Sequence, residues 1–301
     1  MFFTFAILTE HLVFGKRCDK NPLVKYFTAE DFCLSAEPVS LQNGLNGFIY
    51  KKDGILHNGK LIIFCHGMGP GHIAYTTEIA FFCNNGFTVL AVDSRGCNFS
   101  EGKNLKGMYS GVQTVIAAID FAKTLHYNKV FLVGHSWGAY SALCASAKRK
   151  VDGVVAISAP ATPAMTICDG AAPIISKPLA YMLRPFLWLV NLFKFGAKGN
   201  SNAAKAAEIN GVPSLLIHGD NDRIVRLKNS AFAKAEGKNV TKLLAKGKAH
   251  NPYNTADAEK LLAELTNGLK SGTKDFSSFD FTAATQEDGD VMRTICDFIS
   301  R

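Results

Sequence analysis

The sequence predicts an α/β fold, in which helices cover both faces of a mostly parallel sheet. Two observations indicate this class. Short runs rich in Val, Ile, Leu and Phe alternate with longer amphipathic segments along the chain, a pattern typical of strands buried between helices. Glycine-rich or polar motifs directly follow several of these runs. With 301 residues, 48% of them hydrophobic, the chain can bury a sizeable core.

Six apolar runs are predicted to form the parallel strands. They are Leu61–Cys65, Thr88–Val92, Val130–Val133, Gly153–Ile157, Ser214–Ile217 and Thr241–Leu244. Ahead of them, Pro38–Leu41 and Gly47–Tyr50 flank a Gln-Asn-Gly-Leu-Asn turn. These two segments are predicted to form an antiparallel hairpin on the edge of the sheet.

Helices are predicted between and after the strands, where the apolar residues follow a helical period. They are Ala74–Asn84, Val112–Leu125, Ala139–Lys148, Leu227–Ala235, Ala256–Thr266 and Asp290–Ile299. Residues 270–288 are rich in polar residues and are predicted to form a surface loop.

The alternation of strands and helices breaks once, between Pro160 and Gly211, where five prolines accompany an apolar patch. We interpret residues 161–210 as a cap that contributes apolar wall to an active site; a helical excursion packed on the core is the alternative. Residues 35–160 and 211–301 then form the core, and residues 1–34 form an N-terminal segment.

The apolar N-terminus, Met1–Leu8, is too short to span a membrane, which takes about 20 residues. It follows no basic residue and precedes no nearby cleavage site, so a signal peptide is not predicted. We expect it to pack on the core of the protein, although weak association with a membrane surface is an alternative. The sequence leaves the oligomeric state open.

Composition indicates a cytoplasmic protein without a nucleic-acid partner. The eight cysteines form no C-x-x-C pair, so free thiols in a reducing compartment are predicted rather than a zinc site. The net charge of +8 comes from scattered Lys and Arg. Because no basic run is interleaved with aromatic residues, we interpret the charge as a solubility feature.

The central motif is Gly134-His-Ser136-Trp-Gly138, set between a predicted strand and a predicted helix. This is the context of a nucleophile elbow, in which a sharp turn projects the serine hydroxyl from the sheet edge. Glycines two residues before and after the serine leave room where strand and helix cross. The motif predicts Ser136 as a nucleophile.

A glycine-rich turn, His66-Gly-Met68-Gly-Pro-Gly71, follows the first parallel strand. Backbone N–H groups in such a turn can hold a developing oxyanion. We expect the donors to be the N–H groups of Met68 and of Trp137, the residue after the nucleophile. The alternative is a simple strand-to-helix loop.

Two later motifs supply the partners of a serine nucleophile. His218-Gly-Asp-Asn-Asp222 follows one strand, and Gly247-Lys-Ala-His250 follows the next. Asp222 is predicted to orient His250, which is predicted to act as the base. Asp220 is the rival carboxylate, although it could instead cap the local turn.

Other polar residues adjoin these motifs. His66 and His135 are predicted to form hydrogen bonds within their turns, and Asp93 is predicted to shape the loop that follows its strand.

From Pro38 onward, the motifs HGMGPG, DSRGCNFSEG, GHSWGA, HGDNDRIV and GKAHNPY resemble those of the α/β-hydrolase superfamily. The chain is most similar to its serine aminopeptidase and monoacylglycerol lipase-like branch. The resemblance implies an eight-stranded sheet with a helical cap, the triad Ser136, Asp222 and His250, and no metal or organic cofactor. The chain departs from the usual pattern at Arg95–Ser100, at Trp137 and at Ala139, and all three residues of the triad are present.

The expected function is hydrolysis of a small-molecule carboxylic ester or thioester with a small to medium acyl group. Three alternatives stay open: a serine aminopeptidase or amidase, lyase or perhydrolase chemistry, and a catalytically silent ligand-binding protein. The aminopeptidase would need a carboxylate to hold the substrate amine. The silent protein would be expected to lack the nucleophile or the base, whereas both are present.

Overall fold

The computed structural model describes residues 1–272 and 275–301. All the predicted strands occur in it and belong to one eight-stranded sheet, ordered β1-β2-β4-β3-β5-β6-β7-β8. The strands are β1 Leu34–Leu41, β2 Leu45–Lys52, β3 Lys60–Cys65, β4 Thr88–Val92, β5 Lys129–His135, β6 Gly153–Ile157, β7 Ser214–Gly219 and β8 Val240–Ala245. Strand β2 is antiparallel to both neighbours, β1 and β4, and the remaining pairs are parallel. The α/β-hydrolase fold expected from the sequence is therefore present.

Helices follow most of the strands and cover both faces of the sheet. They are α1 Phe2–Phe14, α2 Thr76–Asn84, α3 Met108–Ala122, α4 Trp137–Ser146, α5 Pro163–Ile175, α6 Lys177–Met182, α7 Arg184–Phe195, α8 Ala203–Ile209, α9 Ala231–Lys234, α10 Ala256–Ser271, α11 Phe281–Ala284 and α12 Gly289–Ser300. Helices α3, α4 and α8 pack on one face of the sheet, and α2 and α12 pack on the other.

The core is divided by the sheet, because successive side chains of a strand point to opposite faces. In β3, Leu61 and Ile63 join the cluster beneath α3 and α4, whereas Ile62 and Phe64 join the cluster beneath α2 and α12. Every residue of β4 and β6 is buried. This explains why these strands appear in the sequence as uninterrupted apolar runs.

Three helices, α5 to α7, form an excursion between β6 and α8, and Ser176, with φ 86°, separates α5 from α6. Asp169 of α5 is buried and accepts hydrogen bonds from Asn229 Nδ2, at 2.8 and 3.0 Å, and from the Tyr181 hydroxyl. These contacts tie the excursion to the loop that follows β7. Helix α8 packs on α4 instead.

Two predicted segments differ from the structure. Leu227–Ala235 is not one helix: Leu227–Asn229 form a single 3-10 turn, and the backbone of Ser230 is extended. Ser230 caps the separate helix α9 by accepting the N–H of Ala233. The predicted surface loop 270–288 is also wrong in part, because α10 continues to Ser271 and α11 lies within the segment. Residues 273 and 274 of that loop lie outside the described residues.

The N-terminal helix α1 packs against α5 and α7, as expected for a segment resting on the protein itself. Ala6 and Phe14 are buried, and Glu10 is buried with them. Among the described helices, none has the length and apolarity needed to cross a membrane. Each of the eight cysteines is a free thiol.

Candidate active site

Ser136 lies at the tip of the turn between β5 and α4. Its backbone has φ 54° and ψ −116°, a conformation that side chains disfavour. The turn is held by a 2.8 Å hydrogen bond from the Ser136 N–H to the carbonyl of Ile157. A Cβ on Gly138 would overlap the carbonyl of Cys65, and one on Gly134 would lie 2.7 Å from Gly138. The two glycines of the motif are thus required by close backbone approach.

His250 contacts the serine from the loop that follows β8. Its Nε2 lies 3.0 Å from Ser136 Oγ, and its Nδ1 lies 2.8 Å from Asp222 Oδ2. A carboxylate accepts hydrogen bonds only, so Nδ1 carries the proton and Nε2 is free to accept one from the serine. The structure therefore brings together the three side chains predicted as nucleophile, base and acid.

Asp222 is fixed by backbone groups of its own loop. Its Oδ1 accepts the N–H groups of Ile224, at 2.8 Å, and Val225, at 2.9 Å. Burial acts to raise the pKa of Asp222, but the His250 ring and the Val225 N–H outweigh it, and the pKa lies below its usual value. The carboxylate is therefore ionised and faces the imidazole.

The rival carboxylate, Asp220, serves a different purpose. It is exposed, and its Oδ1 accepts the N–H of Gly247 at 2.8 Å. Asp220 thereby joins the loop after β7 to the loop after β8, so it caps a turn of another loop and not the local turn considered from the sequence.

Met68 and Trp137, the predicted oxyanion donors, border the same cavity as Ser136. Trp137 is the first residue of α4, where backbone N–H groups have no acceptor within the helix. Both residues thus line the cavity that Ser136 also lines, while their role as donors stays a prediction.

The bulky Trp137 fits after the serine because its indole points into the protein. The ring is buried, and its Nε1–H donates to the carbonyl of Met108 at 2.8 Å. Gly111 of α3 leaves space for it, since a Cβ there would lie 2.8 Å from the indole. Trp137, which departs from the usual motif, therefore places its indole in the core beneath the cavity. The turn that carries Ser136 is kept.

His135 is not confined to its own turn, and the sequence prediction for it is wrong in this respect. Its Nε2 lies 2.9 Å from the carbonyl oxygen of His250, and its Nδ1 lies 2.9 Å from the Tyr75 hydroxyl. The carbonyl requires Nε2 to donate, so Nδ1 accepts from Tyr75. Tyr75 in turn accepts the N–H of Gly67 at 3.0 Å. Burial lowers the pKa of His135 to about 3, which keeps this ring neutral.

Asp93 adopts the structural role predicted for it, whereas His66 is only in part confined to its own turn. His66 Nδ1 donates to the carbonyl of Gly67 at 2.6 Å, and its Nε2 accepts the N–H of Ser94 at 2.8 Å. Asp93 accepts the backbone N–H and the ring Nδ1–H of His72, both at 2.8 Å. These bonds order the loops after β3 and β4.

Two residues of the site were missed by the sequence reasoning. His218 is fully buried, with Nε2 2.9 Å from the Val225 carbonyl and 3.5 Å from Asp222 Oδ2. Glu259 of α10 accepts the N–H of Ala249 at 2.9 Å and so holds the loop that carries His250. His218 could have been noticed in the sequence, because it begins the motif that contains Asp222. No motif in the sequence marks Glu259.

The cavity above Ser136 has a volume of about 360 Å³, within the range of small-molecule pockets. Its lining is mostly apolar and comes from α1 and α5, from the first residues of α3 and α4, and from the segments that follow β3, β5, β6 and β7. Of the described residues that line it, none is an Asp or a Glu. Across the described chain, no group of three or more His, Cys, Asp or Glu side chains could hold a metal ion.

Comparison with known proteins agrees with this architecture. An esterase from Pyrococcus furiosus superposes with a TM-score of 0.61, covering 85% of this chain and 98% of that one at 20% identity. An alpha/beta hydrolase from Penicillium sp. sh18 superposes with a TM-score of 0.55, covering 79% and 98% at 17% identity. At these identities the likeness shows a shared fold.

Sequence comparison leads to the same family. Epoxide hydrolase 2 from Siraitia grosvenorii is 26% identical over 100 residues, which are 33% of this chain and 30% of that protein. This chain thus matches under a third of that relative's length. The model of the alpha/beta hydrolase family matches residues 62–264. Because this match covers more than half of its length, the chain belongs to the alpha/beta hydrolase family.

Proposed function

We propose that the protein is a serine hydrolase that cleaves carboxylic esters or thioesters of small to medium acyl groups through an acyl-enzyme. The observation that carries the proposal is the hydrogen-bonded row from Ser136 through His250 to Asp222 at the base of an apolar cavity. Such a row activates a hydroxyl that is otherwise a weak nucleophile.

In the proposed mechanism, His250 Nε2 takes the proton of Ser136 as Oγ attacks the acyl carbon. The N–H groups of Met68 and Trp137 stabilise the oxyanion of the tetrahedral intermediate. His250 then gives the proton to the leaving group, and Asp222 stabilises the imidazolium. Water activated by His250 releases the acyl group and restores the serine.

The cavity favours an ester over the substrate of an aminopeptidase. An aminopeptidase must bind a substrate ammonium, and burying that charge without a counterion is costly. The described residues that line the cavity provide no carboxylate, and the nearest catalytic one, Asp222, is engaged by His250 and two N–H groups. A neutral acyl chain suits these walls better.

Steady-state kinetics test the proposal. We expect the protein to hydrolyse p-nitrophenyl esters of short and medium acyl chains faster than aminoacyl p-nitroanilides. Replacing Ser136 with Ala is expected to lower kcat by roughly a millionfold, because the covalent step is lost. Unchanged turnover in purified, folded Ser136→Ala protein would refute the assignment of the nucleophile.

A further inference from the structure

Helix α1 forms part of the wall of the cavity that holds Ser136. Thr9, Leu12 and Val13 lie three and four residues apart, which places them on one side of the helix. Together with Phe14 they line the cavity. The N-terminal segment, which carries none of the predicted catalytic groups, therefore reaches the site.

A second part of the wall is built by α5. Ile167, Ala171 and Ile174 follow the same helical spacing and line the same cavity as α1. Ile174 is 83% exposed and Leu12 is 82% exposed, so these two side chains lie toward the solvent. Ile167 is buried. The apolar walls thus extend from Ser136 outward between the two helices.

Helix α1 is anchored in this position at both ends. Phe2 stacks on Phe186 of α7, with ring centroids 5.8 Å apart. Near the other end, Glu10, the one acidic residue of α1, is fully buried in an ion pair with Lys194 of α7. Beyond the helix, the Arg17 guanidinium donates to three carbonyls of the loop after β4, those of Asn98, Ser100 and Gly102. These contacts make α1 a fixed part of the pocket.

We propose that α1 determines acyl specificity: the Thr9–Val13 side of the helix and the Ile167–Ile174 side of α5 hold the chain of a medium-length, straight-chain acyl ester. This inference rests on the proposed ester hydrolysis at Ser136. Each methylene that the walls remove from water favours binding by roughly fourfold. Each added methylene therefore strengthens binding between the apolar walls. The open end of the cavity accommodates an acyl chain longer than that of acetate.

The test is the ratio of kcat/KM for p-nitrophenyl octanoate to that for p-nitrophenyl acetate. We expect Val13→Trp, on the α1 wall, and Ile174→Trp, on the α5 wall, each to lower this ratio at least tenfold. Leu8→Trp is the matched control, because Leu8 is a half-exposed α1 residue outside the cavity lining. Its ratio is expected to stay within twofold of the parent protein.

A lowered ratio in Ile174→Trp with a parental ratio in Val13→Trp would overturn the inference, since α1 would then form no part of the chain site. If Val13→Trp fails to fold, Val13→Ala replaces it and is expected to lower the ratio roughly fourfold, because it only removes wall contacts. An unchanged ratio in Val13→Ala also overturns the inference. Parent protein that hydrolyses neither ester, and whose Ser136 does not react with a fluorophosphonate, refutes the proposed function itself.

Discussion

Ser136 combines a disfavoured backbone with a hydroxyl that lies 3.0 Å from an imidazole nitrogen. The Ile157 carbonyl and the absence of side chains at Gly134 and Gly138 hold it there. Strain of this kind persists only where the surroundings fix it, and it is common at active sites. The two glycines can be recognised in the local sequence, whereas the Ile157 carbonyl comes from the neighbouring strand β6.

Asp222 and Asp220 provide a matched pair for testing the acid. Asp222→Asn is expected to lower kcat roughly ten-thousandfold, because an amide at this position favours the wrong tautomer of His250. Asp220→Asn is expected to leave kcat within twofold, since Asp220 caps Gly247 and does not contact the imidazole. Ester kinetics on both purified variants check the expectation. A larger loss in Asp220→Asn than in Asp222→Asn would reverse the assignment.

Chain order and motif spacing identified the residues that meet at the sheet edge, because each one directly follows a strand. They did not identify Glu259, which holds the His250 loop from a helix. Nor did they reveal that His135 reaches two other loops. Such contacts depend on the packing of segments that are distant along the chain. This packing produces no periodic pattern of residues in the sequence.

At the scale of elements, a hydrogen-bonded chain joins the loop after β3 to the loop after β8. It runs from the Gly67 N–H to the Tyr75 hydroxyl, on to His135, and from His135 to the His250 carbonyl. The Ser158 hydroxyl also donates to that carbonyl, at 2.8 Å. The segment proposed to hold the oxyanion and the segment that carries the base are therefore positioned by a shared network.

Removing the Tyr75 hydroxyl should disturb both segments. In Tyr75→Phe, the Gly67 N–H and His135 Nδ1 lose their partner, which is expected to cost about 1–3 kcal/mol of unfolding free energy. We also expect kcat to fall about tenfold with little change in KM, because misplacement of these groups affects the transition state most. Tyr127→Phe, which removes the hydroxyl of a half-buried tyrosine elsewhere, is the control. A lower free energy of unfolding with unchanged kcat in Tyr75→Phe would show that the network has only a structural role.

The elements were predictable where periodicity alone decides them, as in the strands, and less so where tertiary contacts intervene. The predicted helix over Leu227–Ala235 is interrupted because the backbone of Asn229 bonds Ala161 and its side chain bonds Asp169. Helix α10 passes the expected end and stops at Gly272, whose φ is 78°. The apolar N-terminus was predicted to pack on the protein, but neither its helix α1 nor its place in the cavity wall was predicted, because α5 contributes another part of that wall.

At the scale of the whole molecule, the parallel strands bring their C-terminal ends to one edge, where the site is assembled. The fold class and the order of the motifs could be predicted, since both follow from apolar runs and the residues after them. The boundaries of the core and of the cap, predicted as residues 161–210, stay a prediction. The acyl group is the least predictable property, because the cavity walls come from segments far apart in sequence.

Three buried histidines should make folding sensitive to acid. Burial lowers the pKa of His135 to about 3, and it also lowers the pKa of His66 and of His218 below the usual 6.5. Below pH 6.5 the unfolded chain binds protons that the folded protein does not, so stability falls as pH falls toward 3.

His135 alone is expected to remove roughly 1.5 kcal/mol between pH 6.5 and 5. Denaturant unfolding at a series of pH values measures the effect. His135→Gln should show a shallower loss than the parent protein over this interval, because one group that takes up a proton on unfolding is gone. Parallel pH profiles for the two proteins would contradict the proposed neutral state of His135.

Peptide mapping by mass spectrometry after treatment with an alkyl fluorophosphonate tests the assignment of Ser136 as nucleophile most directly. A single phosphonylated residue, Ser136, is expected in the folded parent protein. Labelling is expected to be slower by orders of magnitude in His250→Ala, which keeps the hydroxyl and loses the base. A folded parent protein that stays unlabelled, or that carries the label on another serine, would contradict this assignment.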